Sequence, residues 1–511
     1  MALSPASLIT RRTALARALG GAGALTLGLS GCGAGGGRQP AASGSTRETT
    51  WGDPVGDGQL RVLAGEALIA RTELGPTARD AGALVTLAHV TDAHVLDASS
   101  PARVTFLNRL GPPFQSTFRP HETLTTQVLA GVARAVRALA PAVVIQGGDL
   151  IDNVQHNELV HALQVLRGGW VSPGSGRLGY YGVQLGSDTD PFYYRPAVDA
   201  PRHPRLLHDA VARLHSPGLG APVLPVFGDH DALVAGTVAP TSLTRALAIG
   251  DRALWNLPNG LTLPPDLRLQ NGASPDGPPD PGAVGALLAE ALQGPTVRVP
   301  PDPARRQLDV STTIEVLRAA APPVLARGGN RLDYVVDLGP RVRLVVLDLA
   351  RRDGGSGGAV DPAQPTWLAR SLAEAGQRWV LVVSHQPLAG SVGAEPILTE
   401  LARSPRVAAV LNGHTHRNQI TPRPTPAGGY WEITTASLID YPQQARALQL
   451  RATADGGIAI RTWMLDHTGD GSLGMISREL SYLDAQGGRP EGFAGGHSDR
   501  NATLYRRGVT G

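Results

Sequence analysis

The sequence predicts a layered α/β body, with two mixed β-sheets packed face to face, helices on the outside (αββα) and long loop insertions. Three observations predict it. Short apolar runs, each ending in a polar or glycine-containing turn, recur through both halves of the chain. In the first half they alternate with helical periodicity, and in the second half they crowd together as hairpin-like strands.

Taken in order, the body begins with the nearly continuous apolar run Leu84 to Val90, as expected of a buried strand, and Asp92 and His94 follow in the loop at its end. A helix is predicted from Glu122 to Leu139, with Leu124, Val128, Leu129, Val132 and Val136 at helical spacing and Pro141 as its stop. Val143 to Ile145 and Val223 to Phe227 are further strands, closed by turns that carry Asp149 and Asp229. Tyr334 to Leu338 and Val342 to Leu347 flank Gly339-Pro340 as a hairpin. Gln364 to Ala375 reads as a helix. Trp379 to Val383 delivers His385, and Val407 to Leu411 delivers His414 and His416. Trp431 to Thr434, Arg446 to Arg451 and Ile458 to Met464 are expected to complete the second sheet.

The domain plan is a body over residues 81–467, interrupted by insertions near 156–221 and 232–330, with a C-terminal extension over 468–511. The first insertion gathers Trp170, Tyr180, Tyr181, Phe192, Tyr193 and Tyr194 in a chain only 4% aromatic, which predicts a small satellite core or a cap over a substrate. The second is Pro/Gly-rich near 271–282 and is expected to be partly loop.

Composition narrows the class. An apolar fraction of 42% with 17% charged residues is that of a globular protein, and a net charge of +3 without clustered basic residues gives no case for nucleic-acid binding. Lysine is absent, so all 46 basic residues are arginine. The one cysteine, Cys32, follows the twin arginines Arg11-Arg12 and a short Gly/Ala/Leu run. That order reads as a secretion signal over 1–31 with a twin-arginine (Tat) address, and Leu29-Ser30-Gly31-Cys32 resembles a lipobox. The expectation is a protein exported by Tat, held at the cell membrane by lipid on Cys32 and facing outside, with residues 32–80 as a flexible tether. A single cysteine excludes an internal disulfide framework.

Five blocks carry the chemistry: Asp92-Ala93-His94, Gly148-Asp149-Leu150-Ile151-Asp152, Gly228-Asp229-His230-Asp231, Ser384-His385 and Asn412-Gly413-His414-Thr415-His416. Imidazole and carboxylate groups hold hard or borderline cations, and about seven of them suffice for a pair. Because His414 and His416 are two apart, an extended chain would place both on one face, with Thr415 pointing away. The isolated histidines His89, His161, His203, His208, His215 and His497 are read as core or surface residues, and Asn153, Gln155 and Asn157 as a polar turn.

The ordered blocks resemble the calcineurin-like metallophosphoesterase superfamily, whose pattern is DxH, GDxxD, GNHD, a lone H and GHxH. The match spans about residues 84 to 467. Asp361-Pro362-Ala363-Gln364 with Trp367-Leu368, and Tyr430 to Ser437, resemble a Tat-exported actinobacterial branch of it. The resemblance implies two divalent metal ions, of Mn, Fe or Zn type, and hydrolysis of phosphate mono- or diesters by a metal-bridging hydroxide. It implies that Asp92, His94 and His416 hold one metal, that Asp149 bridges both, and that Asp229, His385 and His414 hold the second. His230 resembles the residue that protonates the leaving group, and Asp152 and Asp231 resemble carboxylates that orient imidazoles. One letter departs: the family pattern has Asn where this chain has Asp229, which adds a third negative charge to the ligand set. The substrate implied is a small phosphate ester or a cell-surface one. The alternative is a surface lipoprotein that binds metal or ligand without turnover, and His230 is the residue that argues against it.

Overall fold

In the computed structural model, residues 44–110, 116–187, 190–258, 277–322, 329–468, 471–487 and 493–509 are described. The expected signal segment and Cys32 lie outside them. Two mixed sheets form the centre. The first has seven strands in the order Ile69–Leu74, Ala502–Arg506, Ile458–Asp466, Gln444–Thr453, Asp80–Val90, Val143–Gln146 and Val223–Pro225. The second has six, in the order Tyr334–Asp337, Val342–Leu347, Trp379–Ser384, Val407–Asn412, Tyr430–Thr434 and Gln419–Arg423.

Each sheet contains a parallel block. Asp80–Val90 runs parallel to Val143–Gln146, which runs parallel to Val223–Pro225. In the second sheet Val342–Leu347, Trp379–Ser384, Val407–Asn412 and Tyr430–Thr434 are all parallel. Parallel strands covered on both faces need apolar side chains on both, which is why these segments read as continuous runs. Alternation then sorts the faces. Leu344, Val346, Leu381 and Val383 join the core between the sheets, while Val345, Leu347, Val380 and Val382 pack under Leu368, Ile397 and Leu401 of the helices Gln364–Ala373 and Glu395–Arg403. All of these residues are buried, and truncating one to alanine costs about 2–5 kcal/mol in such a core.

The long helix Thr125–Leu139 turns Val128, Leu129, Val132 and Val136 into the central core. It ends where Ala140 takes a left-handed φ of 50° and donates to the carbonyl of Val136, with Pro141 next. Residues 122–124, expected as its first turn, form a short 3-10 turn that leads into it.

Three expectations are corrected. Residues 44–80, expected as tether, are folded: Thr46 Oγ1 donates to the carbonyl of Met464 at 3.0 Å, and Ile69–Leu74 pairs with Ala502–Arg506 at the sheet edge. The C-terminal extension supplies that partner strand and the helix Gly471–Gln486, so both ends complete the first sheet. Gln444–Thr453, next to Asp80–Val90, and Ile458–Asp466, next to Gln444–Thr453, lie in the first sheet and not in the second.

The insertions carry elements of their own. The first holds the helix His156–Arg167, and the second the helices Ser242–Ile249, Pro281–Ala291 and Val310–Ala320. The aromatics of the first divide among satellite clusters: Tyr193 packs with Phe118 and Phe192, and Tyr194 with Leu124, Leu206 and Leu480. Among the described residues no helix is long and apolar enough to cross a membrane.

Candidate metal centre

The parallel strands of both sheets end on one side, and their first loops carry all the metal-type side chains. Asp80–Val90 leads to Asp92 and His94, Val143–Gln146 to Asp149, and Val223–Pro225 to Asp229. Trp379–Ser384 leads to His385, and Val407–Asn412 to His414 and His416. Ligand sites in open α/β sheets form at such carboxyl ends.

The local backbone is bent hard to aim these groups. Asp92, His94, Asp149, His414 and His416 all take left-handed φ, at 53°, 43°, 49°, 63° and 55°. Each such residue costs on the order of 1–3 kcal/mol, a cost that clusters at functional sites. His414 and His416 are therefore not in extended chain, and their separation between two clusters comes from this turn. Glycines allow the close approach: a Cβ at Gly148 would lie 2.4 Å from His385 Nδ1, and one at Gly228 would lie 2.1 Å from Asp149 Oδ1.

Two adjoining groups result. Asp149, Asp229, His385 and His414 bring one donor atom each within 4.8 Å of the others, and Asp92, His94 and His416 do the same. His385 Nε2 is 3.0 Å from Asp149 Oδ2 and 3.2 Å from Asp229 Oδ1, and His414 Nδ1 is 3.1 Å from Asp229 Oδ1. His416 Nε2 is 3.2 Å from Asp92 Oδ1 and 3.3 Å from His94 Nε2. Asp149 joins the groups, because its Oδ2 also lies 3.6 Å from His94 Nε2. The structure thus brings all seven expected ligands together, in the grouping the resemblance implies.

The donor chemistry fits a pair of cations. His94 Nδ1 faces Asp152 Oδ1 at 3.0 Å, His416 Nδ1 faces Asp440 Oδ2 at 2.6 Å, and His385 Nδ1 donates to the carbonyl of Gly147 at 2.8 Å. Each ring thereby keeps its proton on Nδ1 and turns an Nε2 lone pair inward. The Nε2 of His385 is buried with no hydrogen-bond partner, although it faces two carboxylates. Two Nε2 lone pairs 3.3 Å apart, beside three buried carboxylates, require positive charge between them.

The same demand shows in the protonation of the site. Burial works against charge on His385, but Asp149 and Asp92 outweigh it and hold the ring well above its ordinary range. His416 is likewise opposed by burial and carried to about 8 by Asp440 and Asp92. His230, opposed by burial, is driven up to about 10 by Asp149, Asp152 and Asp229.

His230 sits beside both groups, its ring edge-on to His94 with centroids 4.3 Å apart. Its Nδ1 donates to the carbonyl of Asp152 at 3.0 Å, and its Nε2 lies 3.9 Å from Asp229 Oδ2. Asp152 faces the Nδ1 atoms of both His94 and His230. Asp231, expected to orient an imidazole, accepts backbone N–H groups of Leu150, Ile151 and Gly228 instead, and so fastens two ligand loops together. Asn153, Gln155 and Asn157 are buried in contacts with Asp152, Glu158 and Asp97; of the expected polar turn only Asn153 is in a bend, since Gln155 is the N-cap residue of the helix His156–Arg167 and Asn157 lies within it.

Four further residues support the site, and of these Asp440, Arg103 and Gln386 were not singled out from sequence. Asp440 anchors His416. Arg119 holds Asp440 through Nε at 2.7 Å and Nη2 at 3.0 Å, and Arg103 pairs with Asp152. Gln386 Nε2 donates to Asp229 Oδ1 at 3.0 Å. Only Gln386 carried a signal, being the neighbour of a ligand.

No protein-family model and no curated protein sequence matches the chain. Among solved structures it is similar to a dimetal phosphatase from Danio rerio, at 14% identity and a TM-score of 0.37, over 75% of this chain and 97% of that one. It is also similar to the NAD nucleotidase NadN of Haemophilus influenzae, at 9% identity and a TM-score of 0.26, over 74% of this chain and 48% of that one. A third is the sulfate thiohydrolase SoxB of Thermus thermophilus in complex with glycerol, at 14% identity and a TM-score of 0.28, over 80% of this chain and 61% of that one. At these scores the chemistry of the chain rests on its own side chains.

Proposed function

We propose that the chain is a metal-dependent phosphoric ester hydrolase, with two divalent cations held by Asp92, His94, Asp149, Asp229, His385, His414 and His416. The observation that carries this reading is the pair of donor groups sharing Asp149, with His230 beside both. When bound, such a cation pair supplies a water made nucleophilic near neutral pH and neutralises charge on the phosphoryl oxygens.

The chain's own residues divide the remaining work. Asp149 fixes the two groups side by side, and the anchored Nδ1 atoms keep the imidazoles in the ligating tautomer. His414 and His416 are the most exposed ligands, at 20% and 12% of their side chains, so the ester approaches from their side. His230 holds a proton at Nε2, with Nδ1 tied to the carbonyl of Asp152, and delivers it to the departing oxygen. A purely metal-binding surface protein has no use for a charged imidazole at that place.

We further propose export by Tat and a lipid anchor on Cys32, which rest on Arg11-Arg12 and the single cysteine. The catalytic reading is tested with purified protein, Mn²⁺ and a panel of phosphate mono- and diesters. Metal-dependent turnover that His230→Ala lowers about 10²–10⁴-fold is expected. Bound metal with no turnover on any ester would establish the binding-protein alternative.

A further inference from the structure

The two cation positions are anchored by different chemistry. At the position lined by Asp92, His94 and His416, both imidazoles lean on a carboxylate that is itself held by a buried arginine. His94 leans on Asp152 and thence Arg103, and His416 on Asp440 and thence Arg119. The arginines are joined to each other: Glu122 Oε2 accepts from Arg103 Nη2 at 2.6 Å and from the Arg119 backbone N–H at 3.1 Å. Asp92 is drawn into the same frame. Its carbonyl accepts from the N–H groups of Leu438 and Ile439, the two residues before Asp440, and the carbonyl of Ile439 is bound by His121 Nε2 at 2.5 Å.

At the other position the partners are neutral. His385 donates to a backbone carbonyl and Asp229 accepts from the Gln386 amide. Among the described residues no arginine, and no carboxylate outside the ligand set, pairs with His385 or His414.

Burying two guanidinium groups is costly. Arg103, Arg119, Glu122 and Asp440 are all less than 5% exposed, and well-packed apolar residues are commonly as stabilising as buried ion pairs or more so. Their retention has a reason if they set the ligands. We propose that Arg103, Arg119 and Glu122 form a clamp that positions the ligands of the Asp92/His94/His416 cation, with Arg119 acting through Asp440 and Arg103 through Asp152. That cation is the more tightly held of the two. The clamp rests on the two-cation reading above, and its residues are positioning residues that act through the carboxylates.

The test separates the positions. Full-length protein carrying Asp229→Ala with His414→Ala retains the Asp92 position, and protein carrying His94→Ala with His416→Ala retains the other. Mn²⁺ affinity is measured in each by titration calorimetry, with and without Arg119→Met. The substitution is expected to weaken Mn²⁺ binding about 10–100-fold at the Asp92 position, as loss of a ligand's hydrogen-bonding support does, and less than tenfold at the other. Asp440→Asn, which preserves volume, is expected to act in the same direction and covers the case in which Arg119→Met fails to fold. Equal weakening at both positions, or none at the Asp92 position, would overturn the clamp. Failure of both double variants to bind Mn²⁺ with the arginines intact would overturn the two-cation reading, and the clamp with it.

Discussion

At the scale of single residues, Asp229 and His230 set the chemistry of the site. Asp229 brings a third carboxylate to ligands that, with Asn there, would carry two negative charges against four from the cations. Its Oδ1 is within 3.2 Å of His385, His414 and Gln386, so an Asn side chain can keep its oxygen in that place and lose only the charge. One charge at about 5 Å in an effective dielectric of about 20 is worth about 3 kcal/mol, and it bears harder on a dianionic monoester than on a monoanionic diester. Asp229→Asn is therefore expected to retain both cations and lower the diester-to-monoester rate ratio at least tenfold; an unchanged ratio with unchanged metal content would remove the idea. For His230 the prediction concerns pH. With His230 as the proposed proton donor, the protonated ring is the working form, so kcat is expected to fall as pH rises through its pKa. Asp149, Asp152 and Asp229 lift it to about 10 against burial, and cations beside Asp149 and Asp229 would lower it. A basic limb below about pH 10 is expected on esters with poor leaving groups, and its absence in His230→Gln is the check. The seven carboxylates and imidazoles that the structure brings together, and His230 beside them, were legible in the sequence because metal chemistry restricts residue type and order. Asp440 and Arg103 were not recognised as site residues, because a lone Asp or Arg in a loop looks like any solvated charge until folding buries it.

At the scale of elements, the device is a parallel strand that ends in a tight turn, and the turn works only where two backbones nearly touch. Gly228 is such a place: a Cβ there would meet Asp149 Oδ1 at 2.1 Å and Asp149 N at 2.3 Å. Gly228→Ala must displace the ligand shared by both groups. It is expected to lose most bound Mn²⁺, measured by elemental analysis after gel filtration, while circular dichroism stays that of the wild type. Gly339→Ala is the control, since its φ of 77° is strained for alanine but nothing lies within 4 Å. That change should cost about 1–2 kcal/mol of stability and leave the metals in place. The buried strands were legible because both of their faces are apolar. The strand Ile69–Leu74 was not, since it lies at a sheet edge with mostly exposed side chains and shows no apolar pattern. Gln444–Thr453 was legible as a strand but was placed in the wrong sheet, because periodicity reports faces and says nothing of partners.

At the scale of the whole molecule, the site is a junction between the sheets. Asp92, His94, Asp149 and Asp229 come from strand ends of the first sheet, and His385, His414 and His416 from the second. Cations held as proposed would therefore tie the two layers together, and without them the buried carboxylates favour the protonated forms of His385, His416 and His230. For His416 the sign of the pH effect is fixed. His416 has a pKa of about 8 in the folded chain against about 6.5 unfolded, so its stabilising contribution is complete below about 6.5 and is lost as pH rises through 8. Cation binding moves the opposite way, because protons compete for the same imidazoles and release them as pH rises. A free cation at about 100 times its Kd contributes about 2.7 kcal/mol per site. The rise in Tm on replacing EDTA with saturating Mn²⁺ is thus expected to be larger at pH 8.5 than at pH 6, and scanning calorimetry at the two values measures it. A gain that is equal at the two, or larger at pH 6, would mean that the histidines and carboxylates are not exchanging protons for metal across the sheet junction.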